Sequence, residues 1–104
     1  MAKVSEHCED CLRELGDEFL EVNLWLDELF DFVGSAHRDI RHNELGIRKI
    51  REKWGEKAGR AAEIHIMRDC DCIPKVDDEF TMKLSLGNSN IYQAFLKEYE
   101  DYDL

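Results

Sequence analysis

The chain has 104 residues, 43% of them hydrophobic, which is enough apolar material for one core, too little for two and too much for wholesale disorder. One proline and six glycines disfavour a turn-rich β protein, and no apolar run approaches the roughly 18 residues of a membrane span. The net charge of −10 is unevenly spread: 10 acids and 2 bases over residues 1–34, 7 acids and 10 bases over 35–75, and 7 acids and 2 bases over 76–104. A mildly basic centre framed by acid offers no concentrated basic face for phosphates, so direct nucleic-acid binding is not expected. The opening MAKVSEHCEDC lacks an apolar signal segment, which gives the expectation of a cytoplasmic protein without a membrane anchor.

Five helices are predicted in one all-α domain spanning 1–104. The first covers Val4–Leu15, with Ser5 as its N-cap candidate. After a break at Gly16-Asp17, Asp17 can cap a second helix reaching about Val33. Its residues Phe19, Val22, Leu26, Leu29, Phe30 and Val33 recur at helical spacing, with Trp25 alongside, and read as core. Gly34-Ser35 interrupts the pattern, and Ser35 can cap a third helix ending near Trp54-Gly55. There Ala36, Ile40, Ile47, Ile50 and Trp54 form the inward stripe, and Arg48, Lys49, Arg51 and Lys53 a solvated side.

A fourth helix over about Glu56–Asp69 carries Ala58, Ala61 and Ala62 on one face, small enough for close approach of a neighbour. Pro74 stops it. The segment near residues 70–88 is expected to be irregular, with Lys75–Leu86 extended or without regular structure. Asn88 or Ser89 can cap a last short helix whose apolar face is Ile91, Phe95 and Tyr99, and the acidic end from about residue 98, EYEDYDL, is expected to fray.

The stretch HRDIRHNELG holds two histidines five positions apart. On a regular helix such residues are rotated by roughly 140° from one another, so His37 and His42 would flank the apolar stripe on opposite sides. They meet at one site only if His37 stands on a non-helical turn after Gly34-Ser35. Gly46 lies one turn beyond His42 and leaves room beside that imidazole for a backbone or ligand. His65 falls on the alanine face of the fourth helix with Asp69 at i+4, the spacing for a hydrogen bond or for two ligands of one metal. No HExxH pair, zinc-deaminase cysteine context or strained serine elbow occurs.

Four cysteines form CxxC at Cys8 and Cys11 and CxC at Cys70 and Cys72. Together they are an alternative tetrahedral metal site if the first helix packs near the end of the fourth; otherwise they are reduced thiols.

One ordered set of residues is familiar. Trp25, Asp27 and Glu28 are followed by His37, Arg38, Arg41, His42 and Gly46, then Glu63, His65 and Asp69, then Ile73, Pro74 and Asp78. This resembles an uncharacterised family of small bacterial and phage-borne proteins, known as a domain of unknown function, with blocks W-x-D-E, H-R-x-x-R-H-H-x-x-G, E-x-H-x-x-x-D and I-P-x-x-x-D-W. An early family histidine falls near His7. Asn43 stands where the family has a second adjacent histidine and Glu79 where it has tryptophan, the segment between Trp25 and His37 is one residue shorter, and the cysteines lie outside the pattern. The resemblance implies a helical fold and a cluster of His, Arg and Asp, and no activity.

Two functional expectations follow. In the first, His37, His42, His65 and Asp69 line a polar pocket for one divalent metal ion, zinc first among zinc, nickel, iron and manganese, with Arg38 and Arg41 facing an anionic ligand. Metal-assisted hydrolysis is the reaction class that fits such a pocket. In the second, the chain is a non-catalytic interaction module: the histidine block fixes helix packing, the second helix supports a homodimer, and the acidic surface meets a protein partner, as a regulator or a mimic of nucleic acid.

Overall fold

The computed structural model describes residues 2–30, 34, 37–87 and 89–102, without the side chains of Arg38 and Ser89. Among these residues the fold is all-α, with seven helices in place of the five expected: α1 (Val4–Leu15), α2 (Leu20–Asp27), α3 (His37–Arg41), α4 (Glu44–Trp54), α5 (Glu56–Cys70), α6 (Asp78–Gly87) and α7 (Ser89–Glu98). No helix among them is long and apolar enough to cross a membrane.

The extra helices arise where polar side chains intercept the backbone. Asn43, fully buried and extended (φ −155°, ψ 178°), splits the predicted third helix in two. Its amide nitrogen donates to the carbonyls of Ile40 (3.0 Å) and Asp39 (3.2 Å), satisfying the end of α3. Its oxygen accepts from the amides of Leu45 (2.9 Å) and Gly46 (3.0 Å), capping α4. One side chain therefore closes one helix and opens the next. The room left at Gly46 is filled by the chain itself, because a Cβ there would strike the Arg41 carbonyl.

α2 is shorter than its apolar pattern suggests. A helix continuing past Asp27 would bond the Trp25 carbonyl to the amide four residues on, but that carbonyl accepts from Arg41 Nη1 at 2.7 Å. The chain turns at Glu28-Leu29 instead. The predicted continuation over residues 31–33 and the Ser35, Ala36 and Asn88 assignments lie outside the described residues. Ser5 sits inside α1, whose N-cap position is Lys3. Asp17 acts on the turn before α2, accepting from the Phe19 amide at 3.0 Å, while Phe19 adopts a left-handed φ of 49°.

The segment Lys75–Leu86 is mostly helical, not irregular. Asp77 accepts from the Phe80 amide (2.9 Å) and starts α6, with Asp78 and Glu79 in its first turn, so only residues 71–77 lack regular structure. The weak apolar periodicity of this stretch hid the helix, while its acidic opening was the signal present.

Two apolar clusters hold the helices. Cys11, Val22, Leu26, Ile47, Ile50, Ile66 and the three alanines of α5 make the first; Ile40, Leu45, Leu84, Ile91, Phe95 and Tyr99 make the second. Ala58, Ala61 and Ala62 are fully buried, as their face predicts. The acidic segment from Glu98 carries two anchors: the Tyr99 hydroxyl donates to the Ile40 carbonyl (2.6 Å) and the Tyr102 hydroxyl to Glu52 (3.0 Å). Trp54, expected in the core, is exposed at the end of α4.

Replacing Asn43 with alanine removes an N-cap and the bonds that end α3. A loss of about 1–2 kcal/mol is expected, measured as a shift in the urea midpoint at unchanged slope.

Candidate metal centre

Six side chains from distant parts of the chain meet between α1, α2, α3 and α5. α1 supplies His7, the last residue of α2 is Asp27, α3 begins with His37, the break before Asn43 holds His42, and α5 carries His65 and Asp69 one turn apart. All four imidazoles are buried, the Asp69 side chain has no exposure and that of Asp27 about a tenth.

The five-residue spacing is resolved by the break. His37 lies on α3 and not on a turn, and His42 has left the helix, so its ring is freed from the 100° step. Both then face the same oxygen. Asp27 Oδ1 lies 3.3 Å from His37 Nε2, 3.5 Å from His42 Nε2 and 3.1 Å from His65 Nε2. Across the cluster, Asp69 Oδ1 is 3.3 Å from His7 Nε2, and its Oδ2 is 3.4 Å from His65 Nε2 and 3.9 Å from His42 Nε2.

Two of the imidazoles have a fixed tautomer. Asn23 is fully buried, and its Nδ2 donates to the carbonyls of Glu18 (2.9 Å) and Phe19 (3.1 Å), which fixes its oxygen toward His65. His65 Nδ1 must therefore donate to Asn23 Oδ1, at 2.8 Å. His37 Nδ1 donates to the Gly34 carbonyl at 2.9 Å. In a neutral ring the Nε2 lone pair then points at Asp27, which is favourable only with a proton or a cation between them.

The other two imidazoles are unpartnered. Neither ring nitrogen of His7 or His42, and neither oxygen of Asp69, makes a hydrogen bond, although all are buried and some lie within ion-pair distance. The carboxylate oxygens lie 3.3–3.9 Å from these Nε2 atoms without forming a hydrogen bond. Two donors at about 2.1 Å from one ion and at the tetrahedral angle stand about 3.4 Å apart, which is the spacing seen here. Asp27, His42, His65 and Asp69 each present one ligand atom, all within 4.8 Å of one another.

The carboxylates and imidazoles of the cluster shift one another's ionisation. Burial pushes the Asp27 carboxyl up, but the imidazoles of His37, His42 and His65 outweigh it and hold Asp27 well below the usual carboxylate range. Asp69 behaves the same way: burial raises it, and His65 and His7 bring it down further. Burial lowers His42, with His65 and His37 adding to the effect against the pull of Asp27. For His65, burial works downward and the two carboxylates overcome it, so its pKa is raised.

Of the residues expected to bind metal, His37, His42, His65 and Asp69 are brought together, and Asp27 and His7 join them. Asp27 belonged to the W-x-D-E block and His7 to its early histidine, yet neither has a local partner, so spacing alone could not place them. The four cysteines form no comparable group among the described residues. Cys8 and Cys11 are buried around the Asn23 amide, at 3.7 and 3.6 Å, and burial raises both thiol pKa values. Cys70 is half-buried and Cys72 exposed.

Arg41 stands outside the cluster. Its guanidinium donates to Glu28 (2.8 Å), Glu98 (3.0 Å) and the Trp25 carbonyl, and stacks over the Trp25 ring at 4.1 Å. Asp27 also borders an open cleft of about 630 Å³, walled by Trp25, Trp54, Leu24, Glu21, Glu28 and Lys53. This carboxylate is thus shared between the buried imidazoles and a surface entrance.

The tautomers are testable directly. Long-range proton–nitrogen spectra of metal-free protein should show His37 and His65 protonated at Nδ1, and Asn23→Leu should abolish that preference at His65 alone. Comparison with family models, with curated proteins and with solved structures found no match to this chain.

Proposed function

We propose that this chain is a divalent-metal-binding protein, with Asp27, His42, His65 and Asp69 as the ligands of the ion and zinc as its first candidate. One observation carries the reading: the buried nitrogens of His7 and His42 and the oxygens of Asp69 have no hydrogen-bond partner. Each such group costs about 1–3 kcal/mol when left unmet, and a cation meets several at once. The donor chemistry fits, since imidazole and carboxylate together suit zinc, iron, nickel and manganese. The resemblance noted above points the same way, because its ordered blocks contain all four ligands.

The reaction class that goes with such a centre is hydrolysis. When bound, a divalent ion supplies Lewis acidity and a water molecule acidified toward neutral pH. The chain's own residues supply the rest. Asn23 holds His65 in the ligating tautomer, and His37, braced by the Gly34 carbonyl, orients Asp27. Asp27 also lines the cleft, so its side of the centre is the one nearest solvent. An anionic group on a substrate would meet the cation directly, since Arg41 is drawn to Glu28 and Glu98.

A second reading has its own observation. Leu20 and Leu24 of α2 are each 50% exposed, and Leu24 and Trp54 line the same cleft, an apolar strip suited to a protein partner or a second copy of the chain. In that reading the cluster only fixes helix packing.

Elemental analysis of protein purified without an affinity tag separates the two. Stoichiometric metal is expected in the native chain, lost on His65→Ala and kept on Cys70→Ala. Metal at 100 times its dissociation constant should raise unfolding stability by about 2.7 kcal/mol. Native protein free of metal, and unaffected by added zinc or manganese, leaves the interaction module.

A further inference from the structure

The centre has more donors than one ion can use. A single zinc site takes four ligands, and Asp27, His42, His65 and Asp69 already provide them. His37 and His7 remain, and they differ. His37 has a group facing each nitrogen: Nδ1 donates to the Gly34 carbonyl, and Nε2 lies 3.3 Å from Asp27 Oδ1, a hydrogen bond when the ring carries both protons. His7 makes no such bond: it has no exposure, and neither of its nitrogens has a hydrogen-bond partner.

Resting on the metal-centre reading, we infer that the centre takes a second divalent cation, held by His7 Nε2 and Asp69 Oδ1, with the Asp69 carboxylate bridging the two ions. The stacking of His7 on His65 carries this. Their rings are parallel within 13° with centroids 3.4 Å apart, and each faces a different oxygen of the same carboxylate. His7 Nε2 lies 3.3 Å from Asp69 Oδ1, and His65 Nε2 lies 3.4 Å from Asp69 Oδ2. Paired catalytic ions stand about 3.5–4 Å apart, so two imidazoles offset by one ring thickness across one carboxylate match the ligands of such a pair. A plain His7–Asp69 hydrogen bond would satisfy the same distance, but its geometry is not met and both atoms are left bare.

The two positions are unequal. The first has four protein ligands and the second has two, so the second ion binds more weakly.

Manganese(II) is the probe, added to chelator-treated full-length protein. Two ions per chain are expected, filling in two steps, with an isolated six-line resonance at one equivalent and an exchange-coupled signal at two. His7→Ala should saturate at one ion and keep the six-line spectrum. His7→Gln, with circular dichroism as a check on folding, repeats the measurement should the alanine variant not fold. Saturation of the native chain at one ion overturns the second site and leaves the first standing. Two ions retained in a folded His7 variant overturns the assignment to His7. Absence of any binding overturns the metal centre itself, a result distinct from the other two.

Discussion

The structure turns on a largely enclosed carboxylate oxygen, Asp27 Oδ1, faced by three imidazole nitrogens within 3.5 Å. A buried carboxylate is costly unless compensated, and here the compensation comes from residues 10, 15 and 38 positions further along the chain. α2, α3, the break before α4, and α5 must all be in place before Asp27 has its partners. The cluster is therefore a consequence of tertiary packing that also fixes it: a small shift of any one helix would leave a charge without its counterpart.

Amide side chains make that arrangement possible. Asn43 ends α3 and begins α4, which brings His42 out of helical register and onto the same oxygen as His37. Asn23 uses its amide on the backbone entering α2 and its carbonyl on His65. Arg41 takes the Trp25 carbonyl, ends α2 near Asp27 and ties that end to α7 through Glu98. α4 then spans the seam between the apolar clusters: Leu45 at its start packs with Ile40 in the second, while Ile47 and Ile50 belong to the first.

Much of this was legible in the sequence where the relevant partners are near in the chain. α1, α5 and α7 follow from apolar spacing and flanking glycines, and the His65–Asp69 pairing follows from i+4 geometry. The failures have one origin. A mid-run asparagine reads as a neutral helix residue until its four bonds to the neighbouring turns are seen, so 35–54 read as continuous. Arg41's claim on the Trp25 carbonyl is a contact across 16 residues, invisible to periodicity, so α2 read too long. Asp27 and His7 entered through the resemblance, without a role, because their partners come from other helices.

Buried polar groups in this protein fall into two populations, and the contrast bears on what the centre is for. Asn23 and Asn43 are as deeply buried as any histidine, yet both are bonded at nitrogen and oxygen to the backbone or to a neighbouring ring. Tyr99, also buried, finds the Ile40 carbonyl. The fold therefore satisfies isolated polar groups with ordinary hydrogen bonds. Among the described residues, the unsatisfied side-chain atoms all belong to His7, His42 and Asp69, at one place, with their separations near those of ligands around a cation. A network that served packing alone would gain by rotating these groups onto one another, as the asparagines have done with their own neighbours. Held short of mutual bonding, these groups leave lone pairs free, and a cation is one partner that imidazoles and carboxylates at such separations could share.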